Sequence, residues 1–545
     1  MAKYKIKKGQ KLGSLSAEAD TILNDVFVDT GYLDGLLEIN DPRFLIIGRT
    51  GSGKTALLKT IKERAQHYSS LDPEDLSMQY LHSNSILSFI ADLGVHLDIF
   101  FKYLWRHICL LELIKIRYKN AKESKFNPLA MLFSEGKKAE QQALHYLSEH
   151  GDQYWITADT HVKNFTSELE TKVTEDVEIG GRIKSYMADV NAKAGNIKEK
   201  IAKEGYEGEI IKRTQAIVND YQIAALNEVF KRLSEKSFQD QKKKYYIIID
   251  DLDKNWMPHD KFYTELLKSL LYTVRDINQK FNGAKILVAL RTNIYYRIFR
   301  KSNITEPQRE KWADVLIDIQ WKKTELEELI NKRLSVILRE QYTKNSPTIN
   351  DLLPTAKKKI KEEAFKYIVD RTFYRPRDII EFMNIAIEEN DYNLNLTWTS
   401  ISHAEIIYSK NRLKSVIDEW KDSFYGLPGT FCLLEKYPAK FSWDEFTEED
   451  LVKIFEYKDL SKCGWLNALY IGYCNDTRDI DSIKSEILNV LFLTGLIGFK
   501  DPKSNSTYFS YENSFTLSDV TFDELKKYSF IVHKMFWRAF GINTE

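Results

Sequence analysis

Apolar residues recur along this chain with two different spacings, and the switches between them outline a fold. Phe44-Leu45-Ile46-Ile47, Tyr245-Tyr246-Ile247-Ile248-Ile249 and Ile286-Leu287-Val288-Ala289-Leu290 are continuous apolar runs. Short runs rich in β-branched residues predict strands covered on both faces, as in a parallel sheet. Val315-Leu316-Ile317-Asp318-Ile319-Gln320-Trp321 predicts a further strand. Elsewhere the spacing lengthens to three and four. Leu93, Leu97, Phe100, Phe101, Leu104 and Ile108 share one helical face, as do Ile217, Tyr221, Ala224, Leu226, Val229, Phe230 and Leu233. Leu326, Leu329, Ile330, Leu334, Ile337 and Leu338 repeat the pattern behind Thr324-Glu325-Leu326-Glu327, which has the form of a helix-capping box. Strands separated by helical patterns predict an α/β fold.

The polar residues at the strand ends carry the candidate chemistry. The first strand runs directly into Gly48-Arg49-Thr50-Gly51-Ser52-Gly53-Lys54-Thr55, and Ala56-Leu57-Leu58-Lys59-Thr60-Ile61 begins a helix. Gly48, Gly51 and Gly53 let the backbone around Ser52 wrap tightly enough to aim its N–H groups at phosphate oxygens. Lys54 supplies a charge for the β- and γ-phosphates, and the Thr55 hydroxyl is a ligand for Mg²⁺. The positive end of the following helix adds to phosphate binding. The second strand ends in Asp250-Asp251-Leu252-Asp253. Asp250 is expected to hold Mg²⁺, directly or through water. Asp251 is expected to orient or deprotonate an attacking water, whereas Asp253 suits a helix cap. Paired acids favour hydrolysis over phosphoryl transfer to a metabolite. The third strand ends in Arg291-Thr292-Asn293, where Asn293 and Thr292 are the candidates to sense a γ-phosphate or fix the water, with Arg291 as a charged alternative. The plainer reading is that Thr292 and Asn293 simply open the next helix.

In this order of motifs the chain resembles the additional-strand P-loop ATPases, and within them the AAA-like and STAND/KAP-like bacterial ATPases. The resemblance rests on Thr30, Gly48–Thr55, Ile247–Asp253, Leu290–Asn293 and Arg375-Pro376-Arg377-Asp378. It covers roughly the first hundred residues and 240–400, and the C-terminal end more weakly. It implies a P-loop NTPase parallel sheet with a helical insertion, a helical lid, ATP as the nucleotide and Mg²⁺ as the metal. It further implies that a lid arginine reaches the γ-phosphate. Arg377 is the first choice and Arg375 the second, against the alternative that both pair with acids. An arginine donated by a neighbouring subunit, sought among Arg297, Arg300 and Arg309, implies a homo-oligomer. Many such hydrolases carry Glu where Asp251 stands, so a slow nucleotide-dependent switch that recruits a protein partner or effector is the second reading. A role in anti-phage defence follows by analogy alone.

Length and composition refine this outline. The 545 residues divide into an N-terminal core segment (1–84), a mainly helical insertion (85–240), the remaining core (241–322), a lid (323–400) and a C-terminal domain (401–545). In the last, a helix ending at Gly495, a strand to Lys500, the turn Asp501–Ser506 and a strand Thr507–Tyr511 resemble a winged helix. That makes a DNA-binding ATPase the third reading, although Lys500 and Lys503 are few charges for a phosphate footprint. His533 reads as a packing residue. Lys plus Arg and Asp plus Glu are 79 each, so overall charge gives no drive towards nucleic acid or membrane. Cys109, Cys432, Cys463 and Cys474 lack metal-ligand spacing and read as buried thiols of a cytoplasmic protein. The apolar stretch Ile86–Ile114 is broken by charges too often to span a membrane. Within 120–215, Val173, Val177, Ile179 and Ile183 around Gly180-Gly181 fit a hairpin. Ile183, Val190 and Ile197 fit a helix about equally, and the region reads as solvated helices or a partner-docking arm.

Overall fold

The computed structural model describes residues 9–71, 87, 95–118, 158–176, 211–212, 214–216, 224–240, 242–252, 261–300, 312–338, 347–355, 363–390, 395–512 and 522–542. The chain forms two compact units. One comprises Gly31–Ile47 and Leu57–Asp318; the other comprises Met1–Thr30, Gly48–Ala56 and Ile319–Glu545.

The first unit is built on a five-stranded parallel sheet. Its strands are β1 (Leu45–Gly48), β2 (His67–Leu71), β3 (Tyr245–Ile249), β4 (Ala284–Arg291) and β5 (Leu316–Asp318), in the order β2-β3-β4-β1-β5. Every residue of β1 and β3 is buried, and only Arg291 of β4 is not. Cover on both faces is why these strands read as unbroken apolar runs. Lys285 is the exception within β4. Its Nζ donates to the carbonyls of Gly35 at 2.9 Å and Glu38 at 2.6 Å, and burial pushes its pKa down to about 8. The fifth strand is shorter than expected, since Gln320 and Trp321 lie beyond its end.

Helices Asp98–Tyr118 and Lys261–Lys280 pack together in this unit. Trp105 Nε1 donates to the Leu266 carbonyl at 2.9 Å, and Arg106 pairs with Asp276 at 2.8 Å. Leu97, Phe100, Phe101, Leu104 and Ile108 are all buried, as their spacing predicted. Helix Ala224–Arg232 passes into a π-turn over Leu233–Ser237. Val173 lies on helix Ala158–Glu175, which corrects the hairpin reading at that residue. Leu93, Val177, Ile179, Ile183, Val190, Ile197, Ile217, Tyr221, Asp253 and Arg309 lie outside the described residues. No helix among the described residues is long and apolar enough to cross a membrane.

The second unit joins the N-terminal segment to the helices that follow β5. Helix Lys323–Leu338 begins before Thr324, so the expected capping box is displaced. Glu325, its third residue, accepts from the Lys322 backbone N–H at 2.7 Å instead. Leu326, Leu329, Ile330, Leu334 and Leu338 enter a core shared with helices Ala364–Val369, Pro376–Glu388 and Trp398–Trp420. Leu12 and Val28 join the same core. Arg333 ties the N-terminal segment in place, bonding Asp20 Oδ2 at 2.6 Å and the Leu12 carbonyl at 3.0 Å.

The C-terminal part carries a four-stranded sheet in the order β6-β9-β7-β8, from β6 (Lys440–Ser442), β7 (Ile497–Lys500), β8 (Thr507–Tyr508) and β9 (Ser529–Val532). All three of its pairings are antiparallel. Helix Ile480–Thr494 stops at Gly495, whose φ of +83° closes it in the left-handed conformation that glycine adopts without strain. The helix-then-hairpin expectation holds there, with β8 three residues shorter than Thr507–Tyr511. Cys109 and Cys463 are buried, but Cys432 is half-buried and Cys474 exposed, so the expectation of four buried thiols is corrected. His533 is 1% exposed and packs edge-on to Phe373 and Phe509.

Two tests follow from this packing. Asp20→Ala strands the buried Arg333 charge, so it should cost about 3 kcal/mol in chemical denaturation. A loss under about 1 kcal/mol would mean the pair is dispensable. Burial holds the pKa of His533 down to about 3, against an unfolded imidazole near its ordinary 6.5. The unfolded chain therefore binds this proton first, and stability should fall as pH drops below 6.5, by about 1.4 kcal/mol per pH unit from this group. His533→Gln should flatten that slope between roughly pH 6 and 4.

Candidate functional site

β1 ends at Gly48 and helix Lys54–Arg64 starts at Lys54, so the residues between make one tight turn. Gly51 and Gly53 have φ of +82° and +99°, a backbone state costly for other residues. Gly51 is also required by space, since a Cβ there would sit 2.6 Å from the Cβ of Arg377. The Lys54 ammonium folds back on the loop, donating to the carbonyls of Gly48 at 2.7 Å and Arg49 at 3.2 Å. Thr55 is half-buried in the first turn of the helix.

Helical and C-terminal residues hold this loop by its backbone. The Thr50 N–H donates to Glu419 Oε1 at 3.2 Å, and Arg375 Nη1 donates to the Thr50 carbonyl at 2.7 Å. The Arg377 N–H reaches the Gly51 carbonyl at 3.4 Å, and Trp321 Nε1 donates to the Ser52 carbonyl at 2.7 Å. Arg49 points the other way. Its Nη2 donates at 2.7 Å to the carbonyl of Thr494, the last residue of its helix, where the helix dipole favours a cation. Its guanidinium lies 4.5 Å above the Phe373 ring, and burial pushes its pKa down to about 10.

Arg375 is the hub of these contacts. Its Nε and Nη2 donate to Asp378 at 2.9 and 3.1 Å, and Glu419 lies 3.6 Å from Nη1. Asp378 is fully buried and also accepts from the Phe373 N–H and from Arg412. Burial alone would raise the Asp378 pKa, but Arg375 and Arg412 hold it below the usual carboxylate range. Burial likewise opposes the charge of Arg375, and Asp378 and Glu419 outweigh it and raise its pKa. Arg377 is half-buried, with Nε donating to the Leu15 carbonyl at 3.0 Å. Burial, then the neighbouring Arg375 and Arg412, lower its pKa.

The remaining candidates lie on the sheet. Asp250 follows the last residue of β3, is 7% exposed, and accepts the Asp251 N–H at Oδ1 at 2.9 Å. Asp251 has φ of +56°, a left-handed conformation uncommon for a side-chain-bearing residue and concentrated at functional sites. β3 and β4 are parallel, with Ile249 opposite Val288, so Asp250, Asp251 and Arg291 lie at the C-terminal ends of these two strands. Helix Thr292–Arg300 opens directly at the end of β4 and puts Asn293 in its first turn.

The sequence did not mark Glu419 or Trp321 as contacts of the loop, or Arg49 as its link to Thr494. Trp321 stood out only as an aromatic strand end. Glu419 offered no local signal, because an acid near the end of a long helix usually faces solvent.

Residues 324–417 match the FunZ-associated C-terminal helical domain. FunZ is a defence-associated family. The matched stretch contains Arg375, Arg377, Asp378 and Arg412, and Glu419 follows it by two residues. No curated protein matches the chain.

If the loop depends on this hub, Arg375→Ala should remove the anchor on the Thr50 carbonyl and take one of two guanidinium partners from the buried Asp378. It should then cost about 3–5 kcal/mol in urea denaturation. Glu419→Gln keeps an acceptor for the Thr50 N–H and should cost less than about 1.5 kcal/mol. Equal losses in the two variants would contradict the assignment of Arg375 as the hub.

Proposed function

We propose that this protein binds Mg²⁺·ATP through Gly48–Thr55 and hydrolyses it, serving as a regulator or machine in bacterial anti-phage defence. The observation that carries this reading is a turn with two left-handed glycines between a buried central strand and a helix that opens with Lys54-Thr55. The sheet order supports it as well, because β4 lies between β1 and β3 as the additional-strand resemblance implies. The defence role rests on the match to the FunZ-associated domain.

Each residue then has a task. The loop amides and Lys54 would bind phosphate oxygens, with Lys54 exchanging the Gly48 and Arg49 carbonyls for the ligand. The Thr55 hydroxyl and the Asp250 carboxylate are hard oxygen donors of the kind Mg²⁺ takes. Bound Mg²⁺ would neutralise charge developing on the phosphates. Asp251 would accept the proton of the attacking water from its left-handed turn after β3. Asn293 would position the water or the γ-phosphate. Arg377 is the proposed lid arginine, since its Nε holds a single backbone carbonyl while Arg375 is committed to Asp378 and Thr50.

A slow switch is the second reading, favoured by Asp251 being one methylene shorter than the Glu of many such hydrolases. ATP turnover per chain, followed over a wide range of protein concentration, separates the two. A shared active site predicts turnover that climbs with concentration and drops at least about a hundredfold in Asp251→Asn. Turnover independent of concentration would remove the oligomeric machine. Turnover equal in the variant would remove Asp251 as the base.

A further inference from the structure

A cavity of about 500 Å³ opens in the second unit, between β6, β8 and β9 on one side and Asp370 and Tyr374 on the other. That size is within the range of small-molecule sites. Its lining is mainly apolar, from Ala439, Phe509, Ile531, Val532 and Trp537. Lys440, Thr507 and Glu512 are exposed and belong to its mouth.

The polar group that decides its chemistry is Tyr511. His533 Nδ1 accepts the Met535 N–H at 3.0 Å, so that nitrogen carries no proton. The buried ring is neutral at ordinary pH, and its one proton must therefore sit on Nε2. Nε2 lies 2.8 Å from the Tyr511 hydroxyl, which thus accepts from the histidine. The phenolic proton is left to donate, and no acceptor for it exists among the described residues. The ring itself is fixed by stacking on Phe509 at 5.4 Å and on Tyr374 at 6.1 Å. Asp370 is already engaged by Lys534 at 3.1 Å. The next residue after Tyr511 is Glu512, whose carboxylate is an acceptor at the same rim. An O–H donor and a carboxylate acceptor on consecutive residues, lining one cavity together with apolar side chains, match a planar ring whose edge offers an acceptor beside an N–H.

We propose that this cavity is a second ligand site, taking the base of a nucleoside or mononucleotide with its polar edge on Tyr511 and Glu512. Lys440 at the mouth is placed to meet a phosphate, so a monophosphate should bind more tightly than its nucleoside. This site is independent of the proposed ATP loop and goes beyond it. A physical route between them exists all the same. Tyr511 packs on Phe373 at 5.0 Å, and Phe373 carries the Arg49 guanidinium at 4.5 Å.

The test is calorimetric titration of the full chain carrying Lys54→Ala, which silences the loop, with guanosine, GMP, uridine and UMP as probes. The site predicts saturable binding of at least one probe at one per chain. It also predicts a loss of about tenfold in Tyr511→Phe, the value of one hydrogen bond. Tyr511→Phe removes a single oxygen from a packed ring. Glu512→Gln alters an exposed side chain and should give a similar loss without changing the melting temperature. Lys440→Ala should weaken GMP or UMP and leave the nucleoside unchanged. Absence of saturable binding by all four probes would overturn the proposal. So would affinity unchanged in both Tyr511→Phe and Glu512→Gln.

Discussion

Much of the second unit depends on how one buried guanidinium is satisfied. Arg375 has acids on two sides and a backbone carbonyl on the third: Asp378, Glu419 and Thr50. A charge removed from water is tolerable only when such partners replace the lost hydration. The partners come from the helix that begins after Arg375, from the end of the long helix Trp398–Trp420, and from the glycine-rich loop. Satisfying Arg375 therefore fixes the position of all three. The loop cannot change its shape at Thr50 without disturbing a buried ion pair, and the helices cannot separate without uncovering it.

This constraint gives the match to the FunZ-associated helical domain a physical meaning. The domain does more than follow the loop in sequence, because it supplies Arg375 and the Arg377 N–H that bind the loop backbone. A loop rich in glycine has much conformational freedom, and every bond to its carbonyls removes some of it. A loop held in advance spends less of its binding energy on ordering when a phosphate arrives. Trp321 does the same at Ser52, on the segment that joins β5 to the first helix of that domain.

Strands and local turns were the most legible parts of the sequence. β1, β3 and β4 were evident because burial on both faces leaves long apolar runs, and the glycines of the loop were evident because left-handed backbone needs them. Asp250 and Asp251 were legible at the end of β3, although the left-handed turn at Asp251 had no signature. Helix starts were less exact. Glu325 caps Lys322, which is not a residue type associated with caps, so Thr324 attracted the assignment. Contacts joining distant segments were not legible. Nothing near Glu419 or Thr494 marks them as partners of residues 49 and 50, more than three hundred positions earlier, since such pairing is a property of the folded chain.

Whether this loop is a nucleotide site is tested most directly by equilibrium binding. Calorimetric titration of the full chain with ATP in the presence of Mg²⁺ should show one loop site per chain that disappears in Lys54→Ala. Removing Mg²⁺ with a chelator should weaken that site. ATP binding that is undetectable, or that persists unchanged in Lys54→Ala, would contradict the claim.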